Sequence, residues 1–386
     1  MPLQTIVFRA DKKVLLLLAL LVLGFELPLL ASQSRNFNSH IQKFQILAQT
    51  PDNRKTEADH LLLQGYQQYQ IGQFQLALQY WEQALNIYRG LHSRQEEAQT
   101  LRNIGGAYDS LKKYTQAIEY YQQALAIDRE IHNRQGEGYD LGNLGNAYYF
   151  LGNYAKVIEY QQQNLAIQQE IKNRPGEMKV LLFLGGAYYS IGDYTRAIDY
   201  AQQLLAIAKE KKDFQTQKTA LGNLALAYRS LGNNSKSLEY RQQALAIAQQ
   251  TTDRKAEVMT LLEIGLIYQD LQKSDLAISS YKQCLAIAKE ISDLKTAGWC
   301  LNNLGSTYQA LKDFNQALNY YQQGWAIAQT LPNPKMKAKF LKNLGDVSKD
   351  LKDYRKAINF YQQQLVIVRE LKEQRLEEQA LLGLAI

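Results

Sequence analysis

The residue types best suited to catalysis or metal binding are scarce in this chain of 386 residues, which has four His and two Cys. His92 and His132 lie 40 residues apart in equivalent predicted turns, too far apart to share a metal ion held at about 2 Å. The sequence has no phosphate-binding loop, GxSxG motif, HExxH motif or Cys–His pairing. We therefore expect no catalytic residues, no metal site and no cofactor.

The two cysteines, Cys284 and Cys300, fall at apolar positions of consecutive predicted helices. Two cysteines do not make a disulfide framework or a zinc pattern. Buried free thiols are the expected state, and a single disulfide is the alternative if the chain is exported.

Amide side chains form a more regular chemical feature. One asparagine returns at intervals of 40 residues or multiples of 40, at Asn103, Asn143, Asn223, Asn303 and Asn343. Phe183 and Glu263 replace it in two units. An asparagine amide both donates and accepts hydrogen bonds, so this row is a candidate ligand site. The alternative is that every unit inherited its polar residue from one duplicated parent.

Aromatic residues gather on the same predicted face in the middle of the chain, at Tyr149, Phe150, Phe183 and Tyr189. Aromatic side chains in a groove are common anchors for a bound partner. We hypothesise that Phe183 and Tyr189 form the floor of a pocket for one apolar ligand side chain. Packing between neighbouring repeats is the alternative.

Positive charge is concentrated near the C-terminal end. The formal net charge is +7, and residues 331–375 hold eleven Lys or Arg against five Asp or Glu. Because the rest is nearly neutral, we expect no nucleic-acid surface along the chain. Lys339 and Lys342 are predicted to face the groove and attract an acidic partner or an anionic membrane. A solvated surface is the alternative.

These residues are positioned by an internal repeat of 40 residues. The phrase from Leu101 to Tyr108 returns without gaps. A small residue holds one frame at Gly65, Gly105, Gly145, Gly185, Ala225, Gly265, Gly305 and Gly345. Each unit predicts two helices, since apolar residues recur at helical spacing. Turns such as Leu151-Gly-Asn-Tyr154 separate them, with Gly as a left-handed C-cap. Asn or Asp at 133, 173, 213, 253, 293 and 333 predicts a cap before the next helix.

The small residues predict how each pair of helices packs. A Gly on the first helix lies twelve residues before an Ala on the second, as in Gly105 and Ala117. We expect the two backbones to approach closely there, with Tyr108 and Tyr121 filling the surrounding space.

The order of Leu101, Ile104, Gly105, Tyr108, Ala117, Tyr121 and Ala124 resembles the tetratricopeptide repeat signature. The length resembles the extended subclass of kinesin light chains and cyanobacterial repeat proteins. This resemblance implies an all-α fold, a right-handed α-solenoid of about eight antiparallel helix pairs plus an incomplete ninth. It also implies a concave groove lined by the first helices, whose asparagines hold a peptide backbone, and no catalytic residues.

Some positions depart from the repeat pattern. The third unit has Val157, Gln161 and Asn164 on its second helix, and the eighth has Ser348 and Gln364. We assign residues 57–380 to eight repeats and residues 381–386 to an incomplete ninth.

The N-terminal region has the pattern of an export signal. Arg9, Lys12 and Lys13 precede an apolar run from Val14 to Phe25. Residues 1–31 therefore predict a signal peptide or a membrane anchor, and an exported (periplasmic, lumenal or secreted) or membrane-anchored protein. Residues 32–56 predict a flexible polar leader with a short helix near residues 40–49.

Taken together, the sequence predicts a scaffold that binds a peptide or helix of a partner protein in its groove. Two alternatives stay open. The array could be a structural spacer that self-associates through its uncapped C-terminal end. It could also be the remnant of a longer protein that lost a C-terminal effector domain.

Overall fold

The computed structural model describes residues 50–385, which form seventeen α-helices and no strand. In chain order these are α1 (Pro51–Gln70), α2 (Phe74–Gly90), α3 (Arg94–Ser110), α4 (Tyr114–Glu130), α5 (Arg134–Phe150), α6 (Tyr154–Glu170), α7 (Arg174–Ser190), α8 (Tyr194–Glu210), α9 (Phe214–Ser230), α10 (Asn234–Gln250), α11 (Arg254–Asp270), α12 (Ser274–Glu290), α13 (Leu294–Ala310), α14 (Phe314–Thr330), α15 (Pro334–Asp350), α16 (Tyr354–Glu370) and α17 (Gln374–Leu384). Odd-numbered helices are the first of a pair and even-numbered helices the second, and α17 is a first helix only. The predicted all-α solenoid of eight pairs and an incomplete ninth is confirmed.

Three-residue turns separate the helices, and most have a middle residue in the left-handed region. The predicted glycine caps are confirmed at Gly152 (φ 72°) and Gly192 (φ 82°). His92 (φ 53°) and His132 (φ 56°) occupy the same turn position between units, which places both histidines in a structural role.

Polar caps start the first helices. The Asn133 side chain accepts a hydrogen bond from the backbone N–H of Gly136 at 3.1 Å, and that of Asp213 from Thr216 at 3.0 Å. Equivalent bonds are made by Asn173, Asp253, Asp293 and Asn333. The caps predicted at all six positions are confirmed, and each satisfies a backbone donor that the helix cannot.

Residues 50–100 belong to one compact region and residues 101–385 to another, and we name them the first and second region. In the first region, α1 and α2 pack together, and the buried Trp81 indole donates to the carbonyl of Leu62 at 3.1 Å. Helix α1 begins at Pro51, within the stretch predicted as a flexible leader. Proline suits the first turn of a helix because its missing N–H would have no partner there, so residues 51–56 are helical instead.

In four helix pairs, α3/α4, α11/α12, α13/α14 and α15/α16, a tyrosine ring of the second helix lies across a glycine of the first. A Cβ added to Gly305 would lie 2.5 Å from the ring of Tyr321, and one added to Gly105 would lie 2.6 Å from Tyr121. The tight partner of the small residue is therefore the aromatic sixteen positions later, rather than the Ala twelve positions later.

The other tyrosine of each unit has a different partner. Tyr108 stacks on Tyr120 at 5.4 Å between ring centroids, and Tyr308 on Tyr320 at 5.4 Å. The same stack recurs in three further pairs. The row that contains Tyr121 therefore packs on the glycines, while the row that contains Tyr108 packs the two helices together near their turn.

Cys284 and Cys300 are joined by a disulfide between α12 and α13, with 6.3 Å between their Cα atoms. Both are fully buried. The expectation of free thiols is wrong, because adjacent helices place the two Cα atoms within the range that a disulfide spans.

The predicted signal or anchor (residues 1–31) and most of the leader (residues 32–49) lie outside the described residues. Within residues 50–385, no helix combines the length and the apolar character needed to cross a membrane.

We predict that Gly305→Ala destabilises the fold by about 1–3 kcal/mol, because the new methyl group would overlap the Tyr321 ring. Gly185→Ala is the matched control, since its Cβ would meet nothing closer than the Ala197 carbonyl at 3.7 Å. Urea denaturation followed by circular dichroism measures both. Equal midpoints for the two variants would contradict the packing scheme.

Candidate functional site

The first helices of the second region (residues 101–385) lie side by side and form one surface, which we name the first-helix face. Successive first helices contact one another, as α7 does α9, α11 does α13, α13 does α15 and α15 does α17. Clefts open on this face between neighbouring first helices. Any residue on the exposed side of a first helix is therefore available to a ligand that crosses several units.

The predicted asparagine row lies on this face, and all five members are half-buried. Asn143, Asn223 and Asn343 each line a different cleft. Asn303 accepts a bond from Asn302 at 3.2 Å, and Asn302 in turn accepts one from Asn343 at 2.8 Å. Asn103 lines none of these three clefts.

The cleft at Asn143 lies between α5, α6 and α7 and has a volume of about 100 Å³. Its inner wall is a row of buried amides on α6, formed by Gln161, Asn164 and Gln168. Gln161 donates to the Gly142 carbonyl at 3.3 Å, and Asn164 donates to Gln161 at 3.3 Å. Gln168 donates to Asn164 at 2.8 Å. We name this site the amide cleft.

Glycines on α5 make room for the amide row. An added Cβ at Gly138 would lie 2.6 Å from the Gln168 amide nitrogen, and one at Gly142 would lie 3.0 Å from the Asn164 amide nitrogen. Four other helix pairs of this region place a tyrosine ring over the glycine. The α5/α6 pair places three amide side chains there instead. Gln161 and Asn164 were noted in the sequence only as departures from the repeat, and the matching glycine spacing at 138 and 142 was the missed signal.

The structure does not bring the predicted aromatic residues together around one cavity. Phe183 borders the amide cleft, whose lining includes six Asn or Gln side chains. Tyr189 instead packs on Tyr194 at 5.2 Å, and its hydroxyl lies 2.9 Å from that of Ser230. Tyr149 packs edge-on against Tyr154 at 5.7 Å. Phe183 therefore lines the amide cleft without Tyr189.

A larger cleft of about 590 Å³ lies between α13, α15 and α17, and we name it the basic cleft. It is lined by Trp299 and four lysines, Lys295, Lys335, Lys339 and Lys342. The Lys339 ammonium lies 5.8 Å from the Trp299 ring centroid, a cation–π contact. Lys342 pairs with Asp346 at 2.6 Å and Lys335 with Glu373 at 2.5 Å. The predicted positions of Lys339 and Lys342 thus converge on one cavity.

The cleft at Asn223 contains an ion pair. Arg241 of α10 contacts Glu263 of α11 at 2.5 Å. Burial raises the pKa of the Glu263 carboxyl and lowers the pKa of the Arg241 guanidinium, although each group stabilises the charge of the other. Glu263 stands at the position that asparagine occupies in most other repeats, so this repeat has a paired charge where the others have an amide.

A buried charged cluster lies between α3, α4 and α5, where sequence reasoning placed no site. Arg102 donates to Asp140 at 2.6 Å and to Asp128, and both carboxyl groups are buried. Asn133 donates to Asp128 at 2.8 Å. Burial, and then the neighbouring Asp128, raises the pKa of Asp140 to about 8, although Arg102 opposes the shift. Two acids sharing one arginine favour retention of a proton.

No group of three or more His, Cys, Asp or Glu that could hold a metal ion occurs in residues 50–385.

Comparison with known proteins identifies the repeat. Sequence profiles of the tetratricopeptide repeat match residues 57–130, 141–210, 217–290, 257–330 and 341–375. No curated protein sequence matches the chain significantly.

Three solved structures are similar in fold. BtubC (BKLC) from P. vanneervenii is 21% identical with a TM-score of 0.50, over 57% of this chain and 91% of that one. The apo form of RapI is 16% identical with a TM-score of 0.59, over 85% and 96%. A signal transduction ATPase with a tetratricopeptide repeat sensor, from Pyrococcus horikoshii, is 17% identical with a TM-score of 0.61. That match covers 91% of this chain and 55% of the ATPase. At these identities the likeness shows the fold alone.

We predict that Asp140 makes stability fall as pH rises from about 4, the usual pKa of Asp, to its folded pKa of about 8. In that window the unfolded chain has released the proton that the folded chain retains, so folding takes up a proton. The Asp140→Asn variant cannot ionise and should lack this loss, of at most about 1.4 kcal/mol per pH unit. Urea midpoints of both proteins at pH 5.5 and 8.5 measure it, and parallel pH profiles would count against the assignment.

Proposed function

The chain belongs to the tetratricopeptide repeat family, and on that premise we propose that it is a protein-interaction scaffold whose first-helix face binds an extended peptide segment of a partner. One observation carries the proposal. Three asparagines from the same frame of the repeat, Asn143, Asn223 and Asn343, each line a separate cleft on that face.

The chemistry of the row suits a peptide backbone. An asparagine amide can donate to a backbone carbonyl and accept from a backbone N–H. The amides of Asn143 and Asn223 have no hydrogen-bond partner among the described residues. A peptide crossing successive first helices would meet one asparagine side chain in each cleft, and half-burial strengthens each bond by excluding water.

The three clefts differ in chemistry, which favours one specific ligand over a repetitive one. The first is lined by amides, the second contains the Arg241–Glu263 ion pair, and the third is basic and aromatic. A peptide that satisfies all three must place different side chains at each. This divergence supports recognition of a defined sequence.

The basic cleft sets the charge of the partner at that position. Within the described part of the chain, Lys295 and Lys339 have no acidic side chain in ion-pair contact, whereas Lys335 and Lys342 do. Trp299 is half-buried beside them. An acidic residue of the partner would pair with these lysines while an adjacent apolar side chain packs on Trp299.

Polar groups elsewhere favour binding over catalysis. The Arg102, Asp128 and Asp140 cluster is buried and paired internally. A general acid or base must reach its substrate within hydrogen-bonding distance. The most strongly shifted carboxyl in the described part of the chain is therefore not placed to act as a general acid or base.

We predict that the combined variant Asn143→Ala, Asn223→Ala and Asn343→Ala loses its partner by at least about tenfold. Three hydrogen bonds at roughly 0.5–1.5 kcal/mol each account for a loss of that size. The measurement is an affinity capture from cell extract with the full chain, with bound proteins quantified by mass spectrometry.

The matched control is Asn86→Ala, Asn319→Ala and Asn359→Ala, which removes three exposed amides from second helices. Proteins enriched by the parent and by the control, and lost from the variant, are the expected result. Equal enrichment by all three forms, with equal helicity, would overturn binding on the first-helix face.

A further inference from the structure

The pair formed by α5 and α6 differs chemically from the other pairs. The position of Gln161 carries a tyrosine in four other pairs, at 121, 281, 321 and 361. The position of Gln168 carries Ala at 208, 248, 288 and 328. Gln161, Asn164 and Gln168 are nonetheless buried, with 1%, 5% and 4% of their surface exposed. Burying an amide in place of a ring costs free energy unless its polar atoms are paired.

The pairing inside the amide cleft is incomplete. The bonds run in one direction, from Asn173 to Gln168, to Asn164, to Gln161 and finally to the Gly142 carbonyl. Each of these amide nitrogens makes one hydrogen bond, although an amide nitrogen carries two hydrogens. The row therefore retains donors that are not used within the described structure.

An unused acceptor lies in the same cleft. The Oδ1 atom of Asn146 is buried and has no hydrogen-bond partner within residues 50–385. Buried polar atoms in folded proteins nearly always have a partner, so such an atom calls for one from outside the chain. The cavity of about 100 Å³ is larger than one or two water molecules require.

The absence of buried charge narrows the ligand chemistry. The cleft is lined by neutral amides, glycines, Val180 and two aromatic rings, and the one charged side chain lining it, Lys179, is exposed. A carboxylate placed inside would lose its hydration without a buried counter-charge. An aliphatic side chain would leave the amides unpaired. A carboxamide can accept from the unused N–H groups and donate to Asn146.

We propose that the amide cleft is a specificity pocket for one carboxamide side chain, Asn or Gln, of the bound peptide. The inference rests on the proposed function, since it names what one cleft of the first-helix face recognises. Phe183 and Tyr139 border the cleft and lie where the aliphatic part of that side chain would enter.

The test begins with the full chain and a phage-displayed library of random dodecapeptides. Selected peptides should share an Asn or Gln at one aligned position. Replacing that residue by Leu, or by the matching acid, should weaken binding measured by fluorescence anisotropy at least about tenfold, because a site built for hydrogen bonds rejects a ligand that leaves them unmade.

The decisive variant is Gln161→Tyr, Asn164→Ala and Gln168→Ala, which restores the residues found at these positions in other pairs. Because Gln161 lies over Gly145 as Tyr121 lies over Gly105, we expect a tyrosine at 161 to pack on that glycine and this variant to melt no lower than the parent. It should bind the original, Leu and acidic peptides alike. Gln217→Ala, which removes a buried amide bonded to the Ala208 carbonyl on another pair, should keep the discrimination.

Each outcome separates the two proposals. Peptides that bind without an Asn or Gln preference, or a preference that survives in the triple variant, would overturn the carboxamide pocket and leave peptide binding intact. Failure to select any binding peptide would overturn the proposed function and the pocket with it.

Discussion

The structure depends on one contact, the laying of a second-helix ring across the bare backbone of a first-helix glycine. Tyr121 over Gly105, Tyr321 over Gly305 and Tyr361 over Gly345 repeat it along the chain. Each ring is at least 97% buried and contributes roughly the free energy of a large buried side chain. Because a ring occupies the space a Cβ would need, the glycine frame sets how closely the helices of a pair approach. That spacing in turn sets which side chains of the first helices remain on the outer face.

The same constraint explains where the structure opens. The helices α5 and α6 keep the glycine frame at Gly145 but present Gln161 in place of a ring. Gly138 and Gly142 extend the opening along α5, and a polar cavity replaces the apolar seal. In the next pair Ala201 replaces the ring, and Gly185 is left without a tight neighbour. Of these two departures, only the one at Gln161 exchanges the packing of a ring for hydrogen-bonding capacity.

Much of the fold could be predicted from the sequence because helix boundaries depend on local chemistry. Gly152 and Gly192 supply left-handed turns, and Asn133 and its equivalents cap the next helix. Long-range geometry was less accessible. Spacing alone could not show that Tyr121, rather than Ala117, meets Gly105, since both lie on the buried face of α4. The disulfide between Cys284 and Cys300 also required the distance between two helices.

Part of the candidate site could also be predicted from the sequence, because the spacing of the repeat shows which positions are equivalent. The asparagine row and Lys339 were recognisable by their spacing, whereas the clustering of Asp128, Asp140 and Arg102 depends on three helices meeting.

The most direct test of the account is a crystal structure of the full chain bound to a selected peptide. The account predicts an extended peptide on the first-helix face, crossing α5 and α7, with one side chain inside the cavity formed by Gln161, Asn164 and Asn146. A peptide bound on the second helices, or one that leaves that cavity filled only by water, would contradict it.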